Sequence, residues 1–506
     1  MLNLALSLAS AVLLVAVFPS LDLALLAPVA LTPLLVAAAR EPRPLRRFLM
    51  GEAAGFVYWF GVCYWIQFVL EVHGAMSAAL SWFAFLLFCA AKALHTAVFA
   101  WLAGYLMPRW YAVPAVAALW TGIERTHAPL GFTWLVLGNA GADMSLAARV
   151  APFAGVYGLS FAFVMLNAAV ALVALRRPRR ELAWLGALAA LYVLPELPRT
   201  EPPAQSAVVV QPNVADSNDW SGEKTEALHD RLVRRSLESA LLPGAAPADL
   251  IAWPEMPAPL YIDRDLDFRD RLVRLARAAN ASVLATVVAH TPAGDPLNSA
   301  VFVSARGEIV DRYDKIELVP FGEFVPPMFG WVSRVTNEAG DFAPGRRVVV
   351  FPAGEHKLGA FICYESAFPQ LVRQFPLAGA EALFNLSNDG YFGRSAAREQ
   401  HLKLVRMRAI ENRRWIVRAT NDGITAVADP AGRVTERLEP YKESAARARF
   451  SWMRETTSYT RHGDWFAWGC LILGVSAATA TGLRARVESG SDVRESSDIR
   501  HDAERR

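Results

Sequence analysis

The stretch "GAFICYESAFP", residues 359–369, decides how the second half of this chain folds. Its apolar beginning predicts a buried β-strand, and the polar residues that follow predict that the strand ends at Cys363. The chain has four cysteines, and the other three (Cys63, Cys89 and Cys470) lie in long apolar runs. Cys363 is therefore the one cysteine of the polar part of the chain, and its presence there calls for a chemical reason.

Around Cys363, the polar block from residue 201 to 462 alternates β-rich runs with amphipathic runs. Strands alternating with helices predict an α/β domain in which helices cover a sheet. A block of this length is sufficient to bury one core. The predicted strands are 204–214, 248–255, 281–290, 298–310, 357–365, 381–389, 415–423 and 424–434, and the predicted helices are 225–242, 269–280 and 398–414.

The rest of the chain has the composition of a membrane protein. Hydrophobic residues make up 54% of the 506 residues, and the mean hydropathy is +0.25. A span needs about 20 apolar residues to cross a bilayer. The runs that approach or exceed this length predict about eight spans, namely 4–18, 23–39, 48–70, 79–107, 111–123, 153–175, 181–195 and 465–483.

Arginine clusters orient these spans. They lie around Arg46, at Arg109, at 176–180 and at 484–486, and the positive-inside rule places them in the cytoplasm. We therefore expect a polytopic α-helical bundle, with residues 1–200 forming seven spans, 463–484 the last span and 485–506 a disordered tail. The polar block 201–462 then lies on the face opposite the cytoplasm, which in a bacterium is the periplasm. The net charge of +3 is nearly balanced, so nucleic acid is not an expected partner.

Three reactive side chains lie where predicted strands of the polar block run into loops: Glu255, Lys315 and Cys363. Each alone has an ordinary structural explanation, as a cap, a surface cation or a core thiol. Together they suit nucleophilic catalysis, because a thiol with a pKa of about 8.5 needs a nearby base. Glu255 provides the base, and Lys315 with the backbone N–H of Tyr364 provides donors for an oxyanion. The scattered histidines do not suggest a zinc site, and we expect no metal or cofactor.

The segments around these residues resemble a known superfamily. "WPE", "YDKIELVPFGEFVP" and "CYES" are similar to the Glu, Lys and Cys segments of the nitrilase superfamily, whose soluble fold is an αββα sandwich. "FNLSNDGYFG", "QHLKLVRMRAIENRRWIVRATNDGITAVADPAGRV" and the flanking spans resemble the bacterial apolipoprotein N-acyltransferases. This resemblance covers nearly the whole chain except the tail.

The resemblance implies a reaction. A phospholipid acyl chain passes to Cys363 as a thioester, and then to the α-amino group of the diacylglyceryl-cysteine at the N-terminus of a lipoprotein. It makes Cys363 the nucleophile, Glu255 the general base and Lys315 the oxyanion donor. It also implies a monomeric enzyme of the bacterial inner membrane, with residues 201–462 as its periplasmic catalytic domain. The positions it marks as substrate-binding are Trp220, Asn298, Glu323, Tyr364 and Glu365.

Two alternative functions stay open at this point. A membrane-anchored amidase or nitrilase would use the same three residues and deliver the acyl group to water. A transporter or channel with a ligand-binding domain would need ionisable residues inside spans, for which Glu52, Lys92 and Glu124 are the candidates. Lys92 either snorkels or contacts a lipid head group.

Three further features of the sequence bear on how substrates bind. The chain departs from the family pattern at Ser366, Gly390 and Tyr391, which leaves acceptor preference open. The basic residues of 401–414 either meet anionic head groups or form a solvated helix face, and we expect the solvated face. An apolar, Pro- and Gly-interrupted loop predicts a lid over Cys363, formed by Phe321, Phe324, Phe329 and Trp331.

Overall fold

A computed structural model describes residues 1–74, 76–199, 202–215, 220–244, 246–320, 322–324 and 342–503, with side chains through residue 484. The N-terminal half is helical. Its α-helices are α1 (Leu2–Val17), α2 (Thr32–Arg40), α3 (Pro44–Cys63), α4 (Trp65–Val72), α5 (Ala78–Leu106), α6 (Ala112–Arg125), α7 (Ser145–Ala148), α8 (Ala151–Ala174) and α9 (Ala190–Val193). Short 3-10 helices at Ala24–Leu26, Leu137–Asp143 and Arg179–Ala189 connect them.

Candidate membrane spans are present in this half and near the C-terminus. In the part of the chain that the structure describes, three helices are long and apolar enough to cross a bilayer: α5, α8 and the segment Trp465–Arg484. A fourth is obtained when α3 and α4, bent by 61° at their junction, are counted together. The runs 23–39, 111–123 and 181–195 form shorter elements, so the count of about eight spans stays a prediction.

The C-terminal half is an α/β domain with two sheets, as the resemblance implied. The first sheet has the order β12-β1-β2-β3-β4-β5 and the second β11-β10-β9-β8-β7-β6. The strands are β1 (Gln205–Gln211), β2 (Leu250–Trp253), β3 (Ser282–His290), β4 (Pro296–Val303), β5 (Ile309–Asp314), β6 (Val350–Ala353), β7 (His356–Ile362), β8 (Ala382–Ser387), β9 (Ile416–Thr420), β10 (Ala426–Ala428), β11 (Val434–Arg437) and β12 (Ser444–Phe450). The helices are α10 (Gly222–Ala240), α11 (Leu266–Ala279), α12 (Pro369–Val372), α13 (Gln374–Leu377), α14 (Ala397–Asn412), α15 (Ser458–His462) and α16 (Trp465–Ala503).

The residue pattern of β1 shows why the two sheets pack face to face. Successive side chains of a strand point to opposite faces. Ala207 and Val209 belong to the core between the sheets, whereas Val208 and Val210 pack beneath α10 and α11 on the outer face. A strand that is apolar on both faces needs a cover on each side, and the second sheet and these helices provide it.

Helix α14 lies between the second sheet and the membrane bundle. Val405 and Ala409 pack into the core of the sheet, whereas Leu404, Met407 and Ile410 pack into the core of the bundle. The prediction of a solvated face for this helix was therefore wrong. The reason is that its polar residues form ion pairs inside this interface: Arg408 with Glu411, and Lys403 with Asp22 and Asp143.

Helix α16 continues as far as Ala503, whereas the sequence predicted a disordered tail over 485–506. Starting a helix is costly and extending one is not. The apolar segment Trp465–Arg484 supplies the helical start from which the charged residues continue.

Candidate active site

The three predicted reactive residues follow the ends of three strands. Glu255 comes shortly after β2, Lys315 directly after β5, and Cys363 directly after β7. Strands β2 and β3 are parallel, and β3, β4 and β5 are successively antiparallel, so β2 and β5 run in the same direction. Their carboxyl ends therefore lie at one edge of the first sheet, where Cys363 arrives from the second sheet.

Cys363 occupies a sharp turn between a strand and a helix. Its φ is +49°, in the left-handed region that non-glycine residues adopt at a cost. It begins the 3-10 turn Cys363–Ala367 and is 5% exposed. Burial raises the pKa of the Cys363 thiol, Glu255 raises it further, and Lys315 partly opposes them. The thiol is therefore protonated at rest, and attack by sulfur requires a base.

Lys315 joins two carboxylates in a compact network. Its Nζ donates to Oε1 of Glu255 at 3.2 Å and to Oε1 of Glu323 at 2.9 Å. Asn298 Nδ2 lies 2.7 Å from each of the same two oxygens. The second oxygen of Glu255 accepts from the backbone N–H of Asn388 at 3.0 Å. The structure thus brings Glu255, Lys315, Asn298 and Glu323 together.

These contacts decide the charge of Lys315. Burial by itself lowers the pKa of Lys315, but Glu255 and Glu323 raise it well above its ordinary value. The side chain is therefore an ammonium, fixed by two hydrogen-bonded carboxylates in a buried site. Such a group can stabilise a negative oxygen without reorganising during a reaction.

Glu365 links the cysteine turn to the loop that follows Lys315. One oxygen accepts from Tyr313 Oη at 2.6 Å and from the N–H of Ile316 at 2.7 Å. The other accepts from the N–H of Ile362 at 2.6 Å. Burial raises the pKa of Glu365 to about 7, against the hydrogen bonds that lower it. Its contacts suit a positioning role.

Tyr364 connects the turn to the membrane bundle. Its hydroxyl donates to the carbonyl of Thr133 at 3.1 Å and accepts from the N–H of the same residue at 3.2 Å. Its ring stacks on Phe132 with ring centroids 5.8 Å apart. The residue next to Cys363 is thereby held by a loop of the helical half.

A second buried group, not predicted from the sequence, supports Cys363 from behind. His401 Nε2 donates to the Cys363 carbonyl at 3.0 Å, and His401 Nδ1 lies 3.0 Å from Asp389. Arg418 pairs with Asp389 at 2.7 Å. Two of these residues lie within the segments "FNLSND" and "QHLKLVRMRAIENRR", but no local spacing indicated that they meet.

The reactive residues open into a cavity of about 680 Å³. Glu255, Lys315 and Cys363 lie at one side of it. The opposite walls come from α4, α5 and the loop at 130–132. Apolar side chains dominate these walls, including Val69, Leu70, Leu80, Phe83, Leu87, Phe88 and Phe132. Phe83 and Leu87 are also 64% and 52% exposed, so the cavity reaches the outer surface of α5, a candidate membrane span.

The remaining sequence-predicted residues are distributed unevenly. Asn298, Glu323 and Tyr364 line the cavity, Glu365 lies behind it, and Trp220 packs at the outer face of the first sheet instead of lining the cavity. Of the three departures, Tyr391 lines the cavity, Gly390 precedes it, and Ser366 is buried. Of the proposed lid, Phe324 lines the cavity, whereas Phe321, Phe329 and Trp331 lie outside the described residues.

Both halves of the chain match known protein families by sequence. Residues 10–169 match the family described as "Apolipoprotein N-acyltransferase N-terminal domain", and residues 207–450 match the family described as "Carbon-nitrogen hydrolase". The apolipoprotein N-acyltransferase of Geobacter metallireducens is 31% identical over 500 residues, covering 94% of each chain. Those of Nitrosomonas europaea and Azotobacter vinelandii are 32% and 33% identical, covering 86% and 90% of this chain and 90% of each relative.

Proposed function

This chain belongs to the apolipoprotein N-acyltransferase family, and on that premise we propose that it carries an acyl group from a phospholipid to an apolipoprotein through a thioester on Cys363. The acceptor is the free α-amino group of the N-terminal diacylglyceryl-cysteine. The observation that carries the proposal is the shared cavity: one space is lined both by the reactive residues and by the apolar face of α5. A lipid ester entering from the bilayer side would reach Cys363 without crossing water.

In the first half-reaction, Glu255 accepts the proton of the Cys363 thiol as the sulfur attacks the ester carbonyl carbon. The carbonyl oxygen becomes an oxyanion, for which Lys315 and the N–H of Tyr364 are the donors. The N–H groups at the start of a helical turn have no partner inside that turn, so they suit this role. The carbon–oxygen bond then breaks, Glu255 returns the proton to the leaving oxygen, and a lysophospholipid departs.

In the second half-reaction, the neutral α-amine attacks the thioester carbon. Glu255 accepts a proton from the amine nitrogen, and the oxyanion forms in the same place. The carbon–sulfur bond breaks, the sulfur regains the proton from Glu255, and an amide is released. An α-amine with a pKa of about 7.7 to 8.0 is partly neutral at physiological pH and can attack directly.

The other residues of the network serve these two steps by position. Asn298 and Glu323 fix Glu255 and Lys315 relative to each other, and Glu365 holds the turn of Cys363 against the Lys315 loop. The apolar cavity limits water, which would otherwise hydrolyse the thioester. Membership of an acyltransferase family argues against a transporter. Hydrolysis of the thioester by water is the remaining alternative, and the experiment below tests it.

We further propose that the enzyme works as a monomer in a bacterial inner membrane, with the two-sheet domain in the periplasm. The support is the arginine pattern of the connecting segments together with the apolar helices of the N-terminal half. Apolipoproteins that have been moved across the membrane would then meet the cavity from the periplasmic side.

The first experiment measures the intact mass of the detergent-solubilised protein after incubation with a defined phospholipid. We expect a gain of one acyl chain in the wild-type protein and in a Cys470→Ala control, and no gain in Cys363→Ala. A synthetic diacylglyceryl-cysteine peptide should then discharge the adduct and gain the acyl chain. A folded protein that forms no adduct contradicts the thioester, and an adduct lost to water as fast as to the peptide supports the hydrolase.

A further inference from the structure

Lys92 is a buried lysine in the wall of the catalytic cavity. It lies on α5, is 5% exposed and lines the same space as Cys363. The reactions proposed above give it no role.

The contacts of Lys92 do not neutralise its charge. Its Nζ donates to the carbonyl of Phe132 at 2.9 Å and lies 5.3 Å from the centre of the Trp59 ring. Neither partner is an anion. By contrast, Lys315 in the same cavity pairs with two carboxylates, and Lys403 in the interface with the bundle also pairs with two. Across the described ranges, Lys92 has no carboxylate within ion-pair distance.

Among the described residues, the groups around Lys92 supply no carboxylate either. His95 lies about one turn further along α5, and its ring is 4.0 Å from that of His127. Imidazole is neutral or cationic, so this pair does not balance an ammonium. The other side chains around it in the cavity wall are mainly aliphatic and aromatic.

A buried charge without a counter-ion is costly, and proteins pair such charges or use them for function. Holding the Phe132 carbonyl requires only an N–H donor, which an uncharged amide also provides. An ammonium has three donors, and after the bond to Phe132 the others are free for a ligand in the cavity. The missing partner is thus an anion that enters the cavity.

We propose that Lys92 binds the phosphate of the lipid acyl donor and forms the anion-binding part of the cavity. This inference rests on the function proposed above. It places the head group of the acyl donor next to α5. The phosphodiester of a phospholipid carries the negative charge that Lys92 lacks, whereas the diacylglyceryl-cysteine acceptor has no phosphate. Lys92 therefore favours the donor over the acceptor in the first half-reaction.

Lys92 is also connected to the nucleophile through the protein. It holds Phe132, whose ring stacks on Tyr364, and the neighbouring Thr133 is hydrogen-bonded to the Tyr364 hydroxyl. A phosphate bound at Lys92 would therefore lie on the bundle side of the cavity while the ester reaches Cys363. Because of this connection, the main alternative is that Lys92 only holds the Phe132 loop in place.

The test compares two acyl donors with the same chain. One is phosphatidylglycerol, and the other is the p-nitrophenyl ester of the same fatty acid, which has no phosphate. The measurement is the initial rate of Cys363 acylation, read by intact mass below donor saturation. We expect Lys92→Gln, which keeps an N–H donor but loses the charge, to lower the ratio of phospholipid rate to ester rate by about tenfold. Lys92→Arg should keep most of the ratio, and Leu94→Gln, on the exposed face of the same helix, should not change it.

Each outcome decides the proposal. An equal fall with both donors shows that Lys92 only supports Phe132, and an unchanged ratio shows that no phosphate binds there; either result overturns the inference. The acylation rates of the wild-type protein test the proposed function separately. Acylation by the ester but not by the phospholipid would reject the phospholipid donor, and acylation by neither would reject the thioester on Cys363.

Discussion

At the scale of single residues, Asp389 is a buried carboxylate behind the catalytic turn. It pairs with Arg418 at 2.7 Å and lies 3.0 Å from His401, which holds the Cys363 carbonyl. Burial alone would raise the pKa of Asp389, but Arg418 and His401 hold it well below its usual range. The turn at Cys363 therefore depends on a carboxylate that keeps its charge in the folded protein.

We predict that Asp389→Asn lowers the free energy of unfolding at pH 7 by about 3 to 5 kcal/mol, the usual cost of leaving one partner of a buried ion pair alone. Asp311→Asn is the matched control, because its pair with Arg347 is exposed and such pairs contribute at most about 1 kcal/mol. Thermal unfolding in detergent measures both variants. Equal effects of the two substitutions would contradict a structural role for Asp389.

The same pair predicts how stability depends on pH. Since the folded pKa of Asp389 is depressed, its contribution is complete above the unfolded pKa of about 3.9 and is lost as the pH falls from there towards the folded pKa. The difference in melting temperature between wild type and Asp389→Asn should therefore be constant from pH 7 to about 5 and narrow below about pH 4. A difference that does not narrow in acid would mean that the charge of Asp389 is not what stabilises the fold.

At the scale of elements, two glycines set the contact between α6 and α16. A Cβ on Gly122 would lie 2.3 Å from Leu471 Cα, and one on Gly474 would lie 2.6 Å from Leu119 Cα. Both neighbours are backbone atoms that cannot move aside alone. Small residues of this kind let membrane helices approach closely and gain contact along their length. Gly469, on the same helix, has open space where a side chain would be.

We predict that Gly474→Val separates α16 from α6 and lowers the melting temperature of the detergent-solubilised protein by several degrees, at a cost of about 1 to 3 kcal/mol for overpacking. Gly469→Val carries the same substitution into open space and should change the melting temperature little. Thermal unfolding of the two variants side by side is the measurement. Similar melting temperatures would show that the helix contact tolerates a side chain at Gly474.

At the scale of the whole molecule, the bundle and the two-sheet domain together form the catalytic cavity. The domain contributes the reactive residues, and α4, α5 and the loop at 130–132 contribute the apolar walls. Gln400 fastens the two halves: its amide accepts from Trp134 at 2.8 Å and donates to the carbonyls of Pro19 at 2.7 Å and Val62 at 3.0 Å. Neither half encloses the substrate space by itself.

If the cavity accommodates the acyl chain, narrowing it should select against long chains. Ala84 lines the cavity from α5, and we predict that Ala84→Trp lowers acylation of Cys363 by a long-chain p-nitrophenyl ester about tenfold, and acylation by the butyrate ester much less. Leu94→Trp places the same ring on the exposed face of α5 and should leave chain-length preference unchanged. The measurement is the initial acylation rate for each ester. A uniform loss for both chain lengths would indicate a folding defect instead of a filled cavity.

Much of the architecture follows from local pattern. The strands around "AQSAVVVQPNV", "LIAW" and "KLGAFIC" are short apolar runs bounded by polar residues, and all are strands in the structure. The three reactive residues were found because side chains just beyond strand ends tend to meet at a sheet edge. The strands β6 and β12 were missed, and the single predicted strand 298–310 is divided between β4 and β5. Strand β12 completes the first sheet by pairing with β1 from more than two hundred residues away in sequence.

The environment of a side chain depends on contacts that local pattern does not contain. Helix α14 was identified from its sequence, but its polar residues are buried because the bundle docks on it. Likewise, Trp220 was assigned to the site from a neighbouring motif, whereas its packing against the outer face of the first sheet could not be foreseen from that motif. Periodicity specifies which face of an element is apolar, and packing across the whole chain specifies what covers that face.

The sequence by itself determined the two-part organisation, the α/β strands and the order of Glu255, Lys315 and Cys363. The tertiary structure alone decided that Asn298 is hydrogen-bonded to Glu255, that Glu323 is hydrogen-bonded to Lys315 and that His401 supports the turn. It also decided that Lys92 faces the same cavity, with no carboxylate of the described residues at ion-pair distance. Local order follows from hydrophobic spacing and strand propensity, which act over a few residues. Charge pairing and cavity shape depend on distances between segments far apart in the chain, which are fixed when the bundle and the two sheets pack together.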